Sequence, residues 1–236
     1  MNLLYKGKAK SVYEIDSTTS VIEFRDDITA GDGAKKETMP GKGALNAEIS
    51  AKLFDVLNAR GIKTHFIKFE PPNRHVVKRV KIILLEVICR NIAAGSFVKR
   101  YPFKNGEVLK FPVVEIGYKS DEYHDPFLNS DIAIALNLAT RKELEKMKKI
   151  TLNINEILRS FLEEKGIILV DFKLEFGKDE KGNILLADEI SPDTCRFWDA
   201  KTKEIMDKDR FRKDMGNVLN YYEEIKRRIM NSKNNQ

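Results

Sequence analysis

Asp171, Lys173 and Glu175 alternate with Phe172, Leu174 and Phe176, and so present three charged side chains on one face of a single strand. A turn-rich segment, Lys178-Asp179-Glu180-Lys181-Gly182-Asn183, leads to a second expected strand, Ile184 to Ile190, and then to Ser191-Pro192-Asp193. If the turn leaves an even number of residues unpaired, Asp188 reaches the face that carries Glu175. Carboxylates that converge beside a lysine repel one another unless a cation lies between them, and hard oxygen donors suit Mg2+. Glu175 and Asp188, one acid from each of two neighbouring strands, are therefore candidate metal ligands beneath a nucleoside triphosphate. Charges on the outer face of a hairpin are also commonly no more than solvated, so the hairpin needs support from elsewhere in the chain.

Three other segments supply it. Tyr5-Lys6-Gly7-Lys8-Ala9-Lys10-Ser11 places lysines at alternate positions around a glycine, where backbone amides can approach an anion and ammonium groups neutralise it. The spacing is not G-x-x-x-x-G-K-[ST], which argues against a P-loop, and fits a hairpin lying over phosphates as in two-lobed ATP enzymes. An exposed basic hairpin is the plainer alternative. Val77-Lys78-Arg79-Val80-Lys81-Ile82 crosses between the two expected parts of the chain, where backbone groups and apolar side chains can line an adenine pocket. Arg90, Ser96, Arg100 and Arg196 are candidates for a phosphate pocket. Arg90 and Ser96 bracket the small-residue loop Ile92-Ala93-Ala94-Gly95, and Arg196 follows the acidic hairpin closely.

The elements that must position these residues are short strands at first: Leu3 to Lys6, Ser11 to Ile15 and Val21 to Arg25. A polar loop from Asp26 to Gly43 follows. Leu45, Ile49, Leu53, Val56 and Leu57 recur at helical spacing up to a C-cap at Arg60-Gly61. Lys63 to Phe69 and His75 to Val80 read as a hairpin around Pro71-Pro72-Asn73. A strand from Lys81 to Asn91 and another from Phe111 to Tyr118 come next. Thr140-Arg141-Lys142-Glu143 fits a capping box that opens a helix running to Gly166. Phe211, Met215, Val218, Leu219, Tyr222, Ile225 and Ile229 mark a last amphipathic helix, with a frayed tail from Asn231 to Gln236. The expectation is an α+β chain with a small, mostly strand lobe over residues 1–80 and a larger α+β lobe over residues 81–236.

The 236 residues suffice for one large or two small domains. The most apolar run, Ile82 to Cys89, is too short to span a bilayer and is interrupted by Glu86, and the N-terminus lacks the pattern of a signal peptide. No membrane partner and a cytoplasmic location are expected. Cys89 and Cys195 read as free thiols, and His65, His75 and His124 show no zinc-ligand spacing. The net charge of +6 favours anionic partners without choosing between nucleic acid and small phosphorylated molecules. No basic motif interleaved with aromatic residues is present, which weighs against a nucleic-acid-binding module.

Five segments carry a resemblance to a known family. Tyr5 to Lys10, Phe24 to Asp27, Cys89 to Ser96, Leu169 to Gly177 and Asp188 to Asp193 closely resemble the SAICAR synthetase family, in its order and across nearly the whole chain. The resemblance implies a two-lobed, ATP-grasp-related fold, a homodimer, and ATP bound between the lobes. It implies ligation of 5-amino-1-(5-phosphoribosyl)imidazole-4-carboxylate (CAIR) to L-aspartate, with ATP cleaved to ADP and phosphate through an acyl phosphate. Carried onto matching positions, Lys8, Ala9 and Lys10 would meet the ATP phosphates, and Val77, Lys78, Val80 and Ile82 the adenine. Glu175 and Asp188 would hold Mg2+, and Lys173 would neutralise phosphate charge. Arg90, Ser96 and Arg196 would hold the phosphate of the ribotide. Asp171 is a candidate catalytic residue beside Lys173, by strand parity alone. The loop from Thr29 to Gly33, with Lys35 and Lys36, departs from many bacterial members. A small-molecule kinase with no second nucleophile is the competing enzyme reading.

Overall fold

A long strand of alternating charged and apolar residues, β11, is the centre of the larger of two main sheets. The computed structural model describes residues 2–31 and 33–231, so Asp32 and all of the expected frayed tail except Asn231 lie outside the described residues. In chain order the strands are β1 (Asn2–Lys6), β2 (Lys10–Glu14), β3 (Thr19–Phe24), β4 (Asp27–Ala30) and β5 (Lys35–Thr38). Helix α1 (Lys42–Ala59), β6 (Phe66–Glu70), β7 (Arg74–Lys78) and β8 (Lys81–Ile92) follow. Next are α2 (Ser96–Arg100), β9 (Val108–Tyr118), a single 3-10 turn over Asp121–Tyr123, β10 (Phe127–Leu128), α3 (Ser130–Ala135) and α4 (Arg141–Glu163). The chain closes with β11 (Ile167–Lys178), β12 (Ile184–Ala187), β13 (Cys195–Asp199), α5 (Asp209–Arg212) and α6 (Val218–Met230).

Strands β1-β2-β3-β7-β6 form a five-stranded sheet. Strands β10-β9-β8-β11-β12 form the second, in which β13 also pairs with β11. All the pairings are antiparallel, as expected for strands with one buried face. Along β11, Phe172, Leu174 and Phe176 are buried in the main core with α4 residues Leu144, Met147, Ile154, Leu158 and Leu162. The capping box of α4 is present: Glu143 N–H donates to Thr140 Oγ1 at 3.3 Å and Thr140 N–H to Glu143 Oε2 at 2.9 Å.

Helix α1 is shared by the two sheets. Its Ile49, Leu53, Phe54 and Leu57 enter the main core, while Ala47 packs with Ile22, Phe24 and Val77 of the first sheet. Burial on several sides explains why its apolar residues are not confined to one stripe.

Four expectations of the local structure are corrected. The span from Asp26 to Gly43 holds the hairpin β4–β5, and β13, β10 and α3 have no counterpart in the expected elements. The last helix is two: Asp214, Gly216 and Asn217 take φ values of 55°, 68° and 55°, which ends α5 before α6 begins. The Arg210 guanidinium ties that break down, donating from Nε to Gly216 O at 2.8 Å and from Nη1 to Ile205 O at 3.0 Å. The second hairpin strand stops at Ala187 rather than Ile190.

Candidate active site

Strand register alone assembles the first of two charged clusters. Arg90 of β8 lies opposite Asp171 of β11, which lies opposite Arg196 of β13. Arg90 Nη1 and Arg196 Nη1 each donate to Asp171 Oδ2 at 2.8 Å. Arg90 Nε donates to Glu115 Oε2 at 2.5 Å, Arg196 Nε to Asp209 Oδ2 at 3.0 Å, and Arg90 Nη2 stands 3.5 Å from Ser96 Oγ. Gly95 passes over this group at φ 58°, where an added Cβ would lie 2.3 Å from Arg196 Nη2, so the loop requires glycine. Arg100 completes the rim, with Nη2 2.6 Å from Glu115 Oε1 and its guanidinium 3.4 Å from the centre of the Phe127 ring.

The second cluster lies four residues along β11, about 13 Å at the rise of a strand. Lys119 Nζ reaches both oxygens of Glu175 at 2.5 Å. Lys173 Nζ bonds Glu86, the residue opposite Glu175 on β8, and lies 3.7 Å from Glu175 Oε1. Lys10 Nζ bonds Asp188 and lies 2.7 Å from Glu189 Oε1. Burial and the charge of Asp188 push the Glu175 carboxyl up, so the two acids stand in each other's field. Burial opposes ionisation of Asp188 too, but Lys10, Lys119 and Lys173 outweigh it and hold that carboxyl below the usual range. Burial works against the charge on Lys10 and Lys173 as well. Asp188 and Glu189 around Lys10, and Glu175 and Glu86 around Lys173, keep both ammonium groups above the ordinary lysine value.

Asp188 reaches this cluster by a route that strand parity does not predict. Lys178 pairs with Ile184 and Glu175 with Ala187, leaving residues 179–183 unpaired, an odd number. Continued pairing would set Asp188 opposite Leu174, on the core face. Instead β12 ends at Ala187, and Asp188 takes φ 60°, which turns its carboxylate towards Lys10. Its carbonyl accepts from His65 Nε2 at 3.2 Å, and the His65 N–H donates to Leu186 O at 2.8 Å, so the N-terminal half of the chain braces the turn. Beyond it, the Asp193 carboxylate accepts from Lys42 Nζ at 2.6 Å and from Tyr222 O–H at 2.7 Å, fixing the segment to α1 and α6.

The lysines of the first turn diverge. Lys10 points into the acidic cluster, whereas Lys8 Nζ lies 2.9 Å from Asp121 Oδ1. Arg25 shapes the turn: its Nη2 donates to Gly7 O at 2.7 Å and its N–H to Ala9 O at 2.8 Å. Val77 is buried in the core of the first sheet. Lys78 ends β7, where its N–H donates to His65 O at 2.7 Å, and Ile82 lies opposite Gly177. Val80 packs so closely on Gly177 that a Cβ there would lie 2.5 Å from its Cγ2.

Asp171 does share a face with Lys173 and Glu175, but its partners are Arg90 and Arg196, which separates it from the lysine cluster. Lys119, Glu86, Glu189, Glu115 and Asp209 were not among the expected site residues. In the sequence, Glu86 shows only as the charge that interrupts an apolar run. Lys119, just past the end of β9, shows no pattern of its own until β9 is placed beside β8.

Glu175 and Asp188 offer hard oxygen donors of the kind Mg2+ takes together with substrate phosphates and water, so the donor set fits that ion. Among the described residues, no three of His, Cys, Asp and Glu are grouped as a metal site made by protein alone.

The chain matches the family model for SAICAR synthetase over residues 3–229. A phosphoribosylaminoimidazole-succinocarboxamide synthase of Methanocaldococcus jannaschii is 59% identical over 226 residues, which cover 96% of this chain and 93% of that protein. A solved SAICAR synthetase (Type-2) in complex with ADP superposes with a TM-score of 0.95 at 52% identity, covering 97% of each chain. The phosphoribosylaminoimidazole-succinocarboxamide synthase of Ehrlichia chaffeensis superposes with a TM-score of 0.94 at 43% identity, covering 97% of this chain and 98% of that one. With the match running almost from end to end, the chain belongs to the SAICAR synthetase family.

Proposed function

We propose that this chain is an ATP-dependent ligase that joins CAIR to L-aspartate in de novo purine synthesis, giving SAICAR, ADP and phosphate. The observation that carries the reading is the convergence of Lys10, Lys119 and Lys173 on buried Glu175 and half-buried Asp188. An amine does not displace oxide from a carboxylate, so the CAIR carboxylate must first be activated. Transfer of the ATP γ-phosphoryl group to it gives an acyl phosphate. The aspartate amine then attacks the acyl carbon, the amide forms and phosphate leaves.

The residues divide the work. Lys8, with the backbone at Ala9, and Lys10 meet the ATP phosphates, and Val77, Lys78, Val80 and Ile82 border the adenine between a lobe of residues 1–80 and one of 81–236. Lys173 screens the transferring phosphoryl group in a site where burial strengthens the interaction. Glu175 and Asp188 hold Mg2+, which when bound supplies further screening of phosphate charge. Arg90, Ser96 and Arg196 take the ribotide phosphate. Asp171, bonded to both arginines, positions them rather than acting on the incoming amine, because two guanidinium groups aimed at one anion repel unless an acid lies between them. The solved relative with ADP supports nucleotide use. No helix among the described residues is long and apolar enough to cross a membrane. A homodimer in the cytoplasm, without nucleic-acid or membrane partners, completes the reading.

Measuring ADP release with CAIR alone and then with L-aspartate added tests it. ADP should form at a steady rate only when aspartate is present, with one SAICAR per ADP. Full turnover on CAIR alone would make the protein a kinase instead.

A further inference from the structure

Asp207 is fully buried and belongs to no expected site, yet it touches both sides of the Arg196 ion pair. Its Oδ2 accepts from the Phe197 N–H at 2.8 Å, immediately after Arg196 on β13. Its Oδ1 accepts from the Asp209 N–H at 2.8 Å, at the start of α5. Asp209 in turn accepts from Arg196 Nε at 3.0 Å. The carboxylate therefore clips the backbone that carries the arginine to the backbone that carries its partner. Met206 N–H closes the same corner on Phe197 O at 2.8 Å.

We infer that Asp207 is a positioning residue for ribotide binding, holding Asp209 where it sets the direction of the Arg196 guanidinium. The inference rests on the reading of Arg196 as a phosphate-binding residue. A carboxylate suits the task because both of its oxygens accept, so both backbone donors are satisfied at once. Asparagine keeps one acceptor and turns a donor towards the other N–H, which loosens one end of the clip. Asp171 still restrains Arg196 from the other side, so the guanidinium swings rather than detaching.

The test is steady-state kinetics of Asp207→Asn, Asp209→Asn, their double variant and Arg196→Ala, with CAIR and ATP each varied in turn. Asp207→Asn should raise KM for CAIR about tenfold or more, with KM for ATP and kcat little changed. Asp209→Asn should do the same, and the double variant should be little worse than either single, since both act through one arginine. A lowered melting temperature with all KM values unchanged would reduce Asp207 to a structural residue and overturn the inference, as would equal rises in both KM values. Should Asp207→Asn fail to fold, Asp209→Asn with an unchanged KM for CAIR overturns it just as well. Arg196→Ala separates the two claims: an unchanged KM for CAIR there sinks the reading of the pocket, whereas a raised one leaves only the role of Asp207 in question.

Discussion

Asp188 carries its charge on a left-handed backbone position, half-buried in the field of Lys10, Lys119 and Lys173, and replacement by asparagine changes little except that charge. Asp188→Asn should therefore lower CAIR- and ATP-dependent ligation at least about 100-fold, because the proposed metal ligand and the counter-charge of three lysines go together. Near-normal turnover at saturating Mg2+ would remove Asp188 from the site. The residue types at this scale were readable from the sequence: Glu175, Asp188, Lys173 and Lys10 all belong to the cluster. Their partners were not, because Lys119 reaches Glu175, and Glu86 reaches Lys173, only through the pairing of β9 with β8 and of β8 with β11.

Among the elements, the loop from Ala93 to Ser96 matters as a backbone path rather than as a set of side chains. Gly95→Ala would place a methyl group against a guanidinium already fixed by Asp171 and Asp209, at a φ that alanine adopts at a cost. Weaker CAIR binding with unchanged ATP binding is the expected outcome, read by calorimetry with each ligand separately. Equal loss of both would indicate a general folding defect. Helix α4 has no side chain in either cluster and serves as the floor of the large sheet. Thr140→Ala removes its capping box and should cost about 1 kcal/mol in denaturant unfolding without altering KM for any substrate. Periodicity identified α4 because one face is buried and the other solvated. It ran α5 and α6 together because the apolar spacing continues across Asp214 to Asn217, where only backbone conformation marks the break.

For the whole molecule, two buried histidines couple folding to pH. Burial pulls His65 down to about 4 and His75 down to about 3, from an ordinary 6.5. Between those values and 6.5 the unfolded chain binds protons that the folded chain does not, so stability falls as pH drops through that window. Asp207 acts in the opposite direction, since burial and Asp209 push its carboxyl up to about 7 and folding then favours its protonated form as pH falls. A variant isolates the histidine contribution. His75 Nε2 donates to Ala47 O at 2.8 Å, a bond that a glutamine amide can replace. His75→Gln should lose less stability than the parent between pH 6.5 and 4, by an amount on the order of a few kcal/mol. Parallel stability profiles for the two proteins would show that His75 is not buried neutral.

Local rules determined much of this chain before any folding: alternation along β11, the capping box of α4, and glycines where the backbone must turn left-handed. These are short-range, set by sterics and by which residues tolerate water. Tertiary structure decided which charges face one another. Asp171 and Glu175 share a strand face, yet the adjoining strands give the first two arginines, while the second meets Lys119, from just past β9, and Lys173 of its own strand. Asp188 joins Glu175 against the parity of its own hairpin, held there by contacts from Lys10 and His65 more than a hundred positions away along the chain. A buried carboxylate takes whichever cation the register brings within reach, and register is a property of the assembled sheet.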